Sequence, residues 1–502
     1  MFDTGTLFNQ EQDPVIWAGL MILSQLPFWL IAARNPERIL DALSRLVPEF
    51  LTGQLLLQGV DVGHIRFKNR FWTGLFEVTT SHPGQTGSNT TILEGKIFSP
   101  EEIAAIDHPR VEGAFGAQGW QAIIPELNLT LNTQAPEKVL AALTLLTDPQ
   151  LSREFLTKNI RAASPQYAHL EIQSSNPKVV RYKPGSRCTV LYNLEYAPDK
   201  ASGSRWPEFV IAKVYRNEKG KNAFEGMQAL WNSPLRSSHT VQIAEPIAYV
   251  EQDYIMIQGP VREEQTLKKL ITSVFKSGTP EAIEELNETL RKTARGLAEL
   301  HRSNVRFGQA WDWADEFSKT REKIDDFSHT DPGLSEAAHP FLERLDQLAA
   351  ALPPDPAAPS HGSFRPAQVL LYRDQVGFID FDSFCQSEPA NDLALFLSTV
   401  MVLGMTLSDF DEVSDSGATM GAEMRKARFE IASSLCETFL SEYEKYQPVS
   451  RERVALWEAL DLLMEVLHGW IKVKPGELAD VIYTLEQFLI DKKIVTSSTL
   501  RE

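Results

Sequence analysis

The stretch "VGFIDFDSF" sets two carboxylates, Asp380 and Asp382, two residues apart at the end of an apolar run. Alternate residues leave a strand on the same side, so both acids point one way. Acids beside apolar neighbours are costly unless a cation compensates them. Magnesium takes carboxylates together with phosphate oxygens; a capped or ion-paired strand end is the alternative. Upstream, "FVIAKVY" carries a single charge, Lys213. A lysine in such a run must be paired or reach water. "NAFEGMQALW", just after it, offers Glu225. A Lys–Glu pair there would suit the positioning of nucleotide phosphates; a snorkelling lysine and a solvated glutamate are the alternative. "VRYKPGSRCTVLY" holds a Pro-Gly turn at Gly185 and Ser186, whose backbone N–H groups could cover phosphates.

These residues need elements to hold them. Residues 15–50 read as helical, with Ile39, Leu40, Leu43 and Leu46 at helical spacing. The run "VIWAGLMILSQLPFWLIAA" is expected to be a buried helix broken near Pro27. A membrane or partner-docking role for residues 15–33 is not favoured, and no basic segment of signal-peptide type precedes it. "HIRFKNRFWTGLFEVTT" and "NTTILEGKIFS" read as strands around a turn-rich loop. The pattern returns in "VVRYKPGSRCTVLYNLEY" and "PEFVIAKVYRNEK". Arg66-Phe67-Lys68 aligns with Arg181-Tyr182-Lys183, Thr73 with Thr189, and Lys96 with Lys213. That is a weak internal repeat of a β-rich unit, or a chance likeness of two hairpins. From Glu281 onward the chain reads as mainly helical, interrupted by the proline-rich "ALPPDPAAPS".

The bulk numbers bound the function. A chain of 502 residues suits two or three domains. The 49 Lys and Arg against 67 Asp and Glu give a net charge of −18, which argues against nucleic-acid binding. The cysteines Cys188, Cys385 and Cys436 are far apart, so a zinc site or disulfide framework is not expected and a reducing cytoplasm fits.

Taken in order, these pieces resemble the aminoglycoside-phosphotransferase and choline-kinase group of protein-kinase-like folds. "RYKPGSRCTVLY" resembles the phosphate-covering hairpin, and Lys213 and Glu225 resemble the strand lysine and its helix partner. "YIMIQGPVREEQTL" is similar to the hinge that takes adenine, around Gln258 to Val261. "HGSFRPAQVLL" resembles the catalytic loop, and "FIDFDSFCQSEPANDLALFL" the metal-binding segment. The resemblance implies an α+β, bilobal protein-kinase-like fold with a β-rich N-lobe and a helical C-lobe. It implies ATP and Mg2+ as cofactors and a small-molecule hydroxyl as acceptor. Gln368 and Asp380 would be the metal ligands. Asp392 would anchor the loop, and His361 would be structural. Residues 1–140 are read as an additional domain and degenerate N-lobe-like repeat, 141–262 as linker helices and N-lobe, and 263–502 as the C-lobe.

One position breaks the pattern. Ser363 stands where the family has an aspartate facing the acceptor hydroxyl, and a serine cannot act as a carboxylate base. Three readings are open. The base is another group: Asp382, an acid from the C-terminal helices, or the substrate itself. Alternatively the protein is a pseudokinase that senses nucleotide or holds a protein partner, with oligomers allowed. The third is a different transfer chemistry, such as nucleotidyl transfer. A Ser363 nucleophile with His361 as base lacks an orienting acid and the Gly-x-Ser-x-Gly turn, and is set aside.

Overall fold

The computed structural model describes residues 14–133, 142–183, 187–196, 206–406 and 421–491. The chain opens with α1 (Pro14–Leu23), α2 (Phe28–Ala32), α3 (Pro36–Leu46) and α4 (Pro48–Leu51). The break falls before Phe28, where Pro27 lacks the N–H that would continue a helix. Ile16, Leu20, Leu23 and Leu30 are buried, while Val15, Met21, Ile22 and Phe28 stay exposed. The buried face lies so close to the later helix Pro332–Ala351 that a Cβ on Gly19 would stand 2.4 Å from the Ala337 carbonyl oxygen.

An antiparallel sheet comes next: β1 (Leu56–Val62), β2 (Arg66–Lys68), β3 (Phe71–Ser81), β4 (Ser88–Ile97), β5 (Val111–Glu112), β6 (Gln121–Ile124) and β7 (Leu129–Thr133), with α5 (Pro100–Ala104) after β4. Helices α6 (Ala142–Thr147) and α7 (Pro149–Ala163) lead to a second, five-stranded sheet. Its strands are β8 (Ile172–Lys183), β9 (Arg187–Tyr196), β10 (Phe209–Val214), β12 (Pro246–Val250) and β13 (Ile255–Gln258). Helix α8 (Lys219–Trp231) comes after β10, and the short β11 (Val241–Ile243) joins a strand of the helical lobe.

The two sheets share a register. Arg66 pairs with Thr73 and Thr73 with Lys96; Arg181 pairs with Thr189 and Thr189 with Lys213. The likeness extends beyond the hairpins. Ile97 pairs with Leu129 as Val214 pairs with Ile255, and Ile124 closes on Leu129 as Val250 closes on Ile255. Both closures use a 3-10 turn that ends in a left-handed residue, Asn128 (φ 53) or Tyr254 (φ 52). The main difference is the length of the next helix, which has 5 residues after β4 and 13 after β10.

The rest of the chain is helical, with short strands between. In order these are β14 (Gln265–Thr266), α9 (Leu267–Ser277), α10 (Pro280–His301), α11 (Trp313–Phe327), α12 (Pro332–Ala351), β15 (Ala358–Ser360), β16 (Val369–Tyr372), β17 (Gln375–Phe378) and β18 (Cys385–Ser387). Helices α13 (Pro389–Met405), α14 (Ala422–Glu444), α15 (Arg451–Lys472) and α16 (Pro475–Asp491) close the fold.

The cores do not follow chain order. A small core, from Leu146 to Ile257, lies between the second sheet and α7. The large core joins the first sheet and N-terminal helices to the helical lobe. Phe67 stacks on Phe327 at 4.2 Å, and Trp72 Nε1 donates to the Trp470 carbonyl at 2.8 Å.

Candidate active site

Strand β10 and the turn after β17 meet in the groove between the second sheet and the helical lobe. Each side presents residues two apart. Lys213 Nζ lies 2.7 Å from Asp380 Oδ1 and 3.5 Å from Asp382 Oδ1. Tyr215 OH donates to Asp382 Oδ1 at 2.8 Å, and Arg187 Nη2 donates to Asp382 Oδ2 at 3.0 Å. Burial pushes the Asp380 carboxyl up, but the Lys213 charge and hydrogen bond outweigh it and hold it at about 2. Burial, with Asp382 alongside, pushes the Tyr215 phenol far up, so it stays a donor.

Two expectations are corrected here. Lys213 does not pair with Glu225. Ala223, Gly226, Met227 and Leu230 form the buried face of α8, which turns Glu225 outward beside Lys221. Asp382 is not a free base either, because both its oxygens are held by the second sheet.

The catalytic-type loop is pinned from below. Asp392, at the start of α13, accepts backbone N–H bonds from His361 (2.6 Å) and Gly362 (2.9 Å) and faces His301 Nε2 at 3.1 Å. Burial raises this carboxyl, and the histidines and hydrogen bonds more than reverse that, so it stays ionised. Gly362 (φ 74) is required: a Cβ there would lie 2.1 Å from the Ser383 carbonyl oxygen. His361 Nε2 donates to the Ile379 carbonyl at 3.0 Å, which leaves Nδ1 as acceptor for the Ser363 hydroxyl at 3.4 Å. Gln368 spans the loop: Oε1 accepts from the Arg365 N–H at 2.9 Å, and Nε2 donates to Ser363 Oγ at 3.4 Å.

Gln258, the last residue of β13, is buried with no partner for its Oε1. Val261 packs on Gly377, where a Cβ would meet its Cγ1 at 2.4 Å. Gly185 and Ser186 lie outside the described residues.

A strand lysine paired to a two-acid turn, beneath a five-stranded sheet and above a pinned His-Gly loop, defines a two-lobed, kinase-like phosphotransferase fold. Residues 224–418 match the model of the phosphotransferase enzyme family. Similar solved structures include a choline/ethanolamine kinase family protein from Mesorhizobium loti, at 13% identity and TM-score 0.42, covering 68% of this chain and 95% of that one. A choline kinase from Cryptosporidium parvum Iowa II aligns at 12% identity and TM-score 0.42, over 68% of this chain and 94% of its own. A glucosamine kinase in complex with glucosamine, ADP and inorganic phosphate aligns at 14% identity and TM-score 0.44, over 68% and 85%. No curated protein sequence matches the chain.

Two further residues of the site, Arg187 and Tyr215, are reachable from Lys213 by strand alternation and pairing. Tyr215 follows Lys213 by two residues, and Arg187 precedes Thr189, the cross-strand partner of Lys213, by two.

Proposed function

We propose that the protein binds Mg-ATP in the groove and transfers its γ-phosphate to a small-molecule hydroxyl. The Lys213–Asp380 pair carries this reading. The residues suit the cofactors. Asp380, Asp382 and the second lone pair of the Gln368 amide oxygen would hold Mg2+. Among the described residues no three His, Cys, Asp or Glu side chains form a metal cluster. That suits an ion whose remaining ligands are phosphate oxygens and water. The unpartnered Gln258 Oε1 suits an amino donor such as that of adenine. Bound Mg2+ would neutralise phosphate charge in the transfer. Lys213 would then exchange Asp380 for a phosphate oxygen, while Arg187 and Tyr215 keep Asp382 in place.

Ser363 slows this chemistry without removing it. General-base help is worth about 10²–10⁴ in rate, or roughly 3–5 kcal/mol, whereas positioning and charge stabilisation supply most of phosphoryl transfer.

Residues 1–140 we read as a degenerate repeat of the N-lobe, supported by the shared register. Lys96, the counterpart of Lys213, lies 5.9 Å from the centre of the Phe71 ring instead of against a carboxylate. Calorimetry with Mg-ATP on wild type and Asp380→Ala tests the main reading. Micromolar binding lost in the variant supports it; no binding at millimolar Mg-ATP overturns it and leaves a scaffold.

A further inference from the structure

Asp382 is held by more donors than it needs. Tyr215 donates to Oδ1 at 2.8 Å, Lys213 Nζ lies 3.5 Å from the same oxygen, and Arg187 Nη2 donates to Oδ2 at 3.0 Å. Tyr215 is fixed. Its ring is buried over Gly220, where a Cβ would stand 2.4 Å from Cδ2. Arg187 is placed differently. Its guanidinium lies 5.9 Å from the centre of the Tyr215 ring, and its side chain is 33% exposed against 12% for Lys213. A guanidinium carries five N–H donors in a planar fork. Among the described residues only Nη2 of Arg187 has a partner.

The strand pairing is a second sign of an anion. Lys183, the last residue of β8, is the cross-strand partner of Arg187. Directly paired side chains share a face, and like charges placed so repel. Arg181 pairs with Thr189 and Thr189 with Lys213, so these two cations share that face as well. Burial and Arg181 push the Lys183 ammonium down. Among the described residues the carboxylates paired to these four cations are Asp380 and Asp382 alone, the two acids proposed to hold Mg2+. Positive charge is left over for phosphate. The loop below selects which phosphate. His361 donates to the Ile379 carbonyl and Gly362 packs on the Ser383 carbonyl, so the catalytic-type loop abuts the turn that carries Asp382. A terminal phosphoryl group must reach that loop to meet an acceptor, and Arg187 stands on the same turn.

We propose that Arg187 is a catalytic residue: it keeps Nη2 on Asp382 and gives its free N–H groups to the γ-phosphoryl group of the nucleotide, in a site that has no carboxylate at position 363. This rests on the phosphotransferase reading above. In the transfer, the acceptor oxygen bonds to the γ-phosphorus. The bond from the γ-phosphorus to the bridging oxygen breaks, and its electron pair leaves with ADP. The acceptor proton passes to an oxygen of the transferred group and from there to water. Arg187 offsets the charge spread over the equatorial oxygens throughout.

Calorimetry on the full chain tests this with three probes. They are Mg-ADP, Mg-adenylyl imidodiphosphate, whose γ-phosphate is not transferred, and Mg-ADP with aluminium fluoride, a mimic of the phosphoryl group in flight. Arg187→Met is expected to leave the Mg-ADP Kd within about twofold and to weaken the imidodiphosphate by about tenfold to a hundredfold, the scale of a charged hydrogen bond. The aluminium fluoride complex should lose more, because a catalytic contact is strongest in the transition state. Retained Mg-ADP binding shows that the variant is folded. Arg187→Lys keeps the charge and loses the fork. It carries the same test should Arg187→Met fail to fold, with a smaller selective loss expected. Tyr215→Phe, which removes a bond to Asp382 alone, should weaken all three probes alike. Equal losses for the three probes in the Arg187 variants, or no loss, reduce Arg187 to a strut for Asp382 and overturn the proposal. So does a selective loss in Tyr215→Phe that matches Arg187→Met. A wild-type protein that binds none of the probes fails the phosphotransferase reading itself, and the proposal with it.

Discussion

Lys213 Nζ and Asp380 Oδ1 meet at 2.7 Å from positions 167 residues apart, one in the second sheet and one in the helical lobe. The contact closes the groove across which the nucleotide is proposed to bind, and it has a pH signature. The folded Asp380 carboxyl sits at about 2, below the ordinary value of ~3.9. Its stabilising contribution is therefore complete above about pH 4 and is lost as pH falls toward 2. The full shift corresponds to about 2–3 kcal/mol, reduced by the 30% exposure of the side chain. Denaturant unfolding of wild type and Asp380→Asn at pH 6 and pH 3 should show the gap between them shrinking on the acid side. A constant gap would mean that the pair does not hold Asp380 ionised.

Asp392 should matter more for folding than any acid in the groove. Asp392→Asn puts an amide among donors that now share one carboxylate. It is expected to cost about 3–5 kcal/mol, the scale for losing a buried ionic partner. Unfolding free energy reads the loss. A variant within about 1 kcal/mol of wild type would remove Asp392 as the anchor of the loop.

A second buried pair ties the helical lobe together. Arg453 forks onto Glu388, with Nε to Oε2 at 2.9 Å, and Trp457 Nε1 donates to Glu388 Oε1 at 2.7 Å. Glu388→Gln should destabilise by about 3–5 kcal/mol. The Glu388→Leu/Arg453→Met double variant should recover part of that, because it leaves no charge unpaired. Equal loss in single and double variants would assign the effect to packing alone.

The two matching lysines should behave differently. Lys213→Ala should weaken Mg-ATP binding by about tenfold or more. Lys96→Ala should leave binding unchanged and shift stability by no more than about 1 kcal/mol, since a ring contact is all it loses. Titration of both variants decides the matter; a nucleotide effect at Lys96 would mean that the first sheet keeps a site of its own.

The family resemblance supplied Asp392 as the acid under the loop. Strand alternation does not explain Asp380 and Asp382: the strand ends at Phe378, Asp380 is left-handed (φ 71), and Asp382 sits in the 3-10 turn Phe381–Ser383, so the turn brings both acids to Lys213. The Lys213–Glu225 pair failed because helical phase, not proximity in sequence, decides which way a residue points: the buried small residues of α8 turn Glu225 to solvent. The proposed repeat shows in the sequence only as scattered identities. What supports it is hydrogen-bond register and two left-handed turn residues, Asn128 and Tyr254, whose side chains share little. The union of the first sheet with the helical lobe was hidden, because contacts such as Trp72 to Trp470 join positions 398 residues apart and leave no local pattern.

The division of the cores has a thermodynamic corollary. The small core is encoded in the middle of the chain, while the large one draws on the segments before and after it and, through Tyr215, Ala223, Met227 and Met256, on the middle as well. The small core is a satellite bound to a larger host through those residues. Such a unit can loosen alone while its host stays folded. A ligand that binds across the seam would add its binding energy to the weaker partner first. On heating, Mg-ATP would then draw two melting steps together instead of moving both upward in parallel.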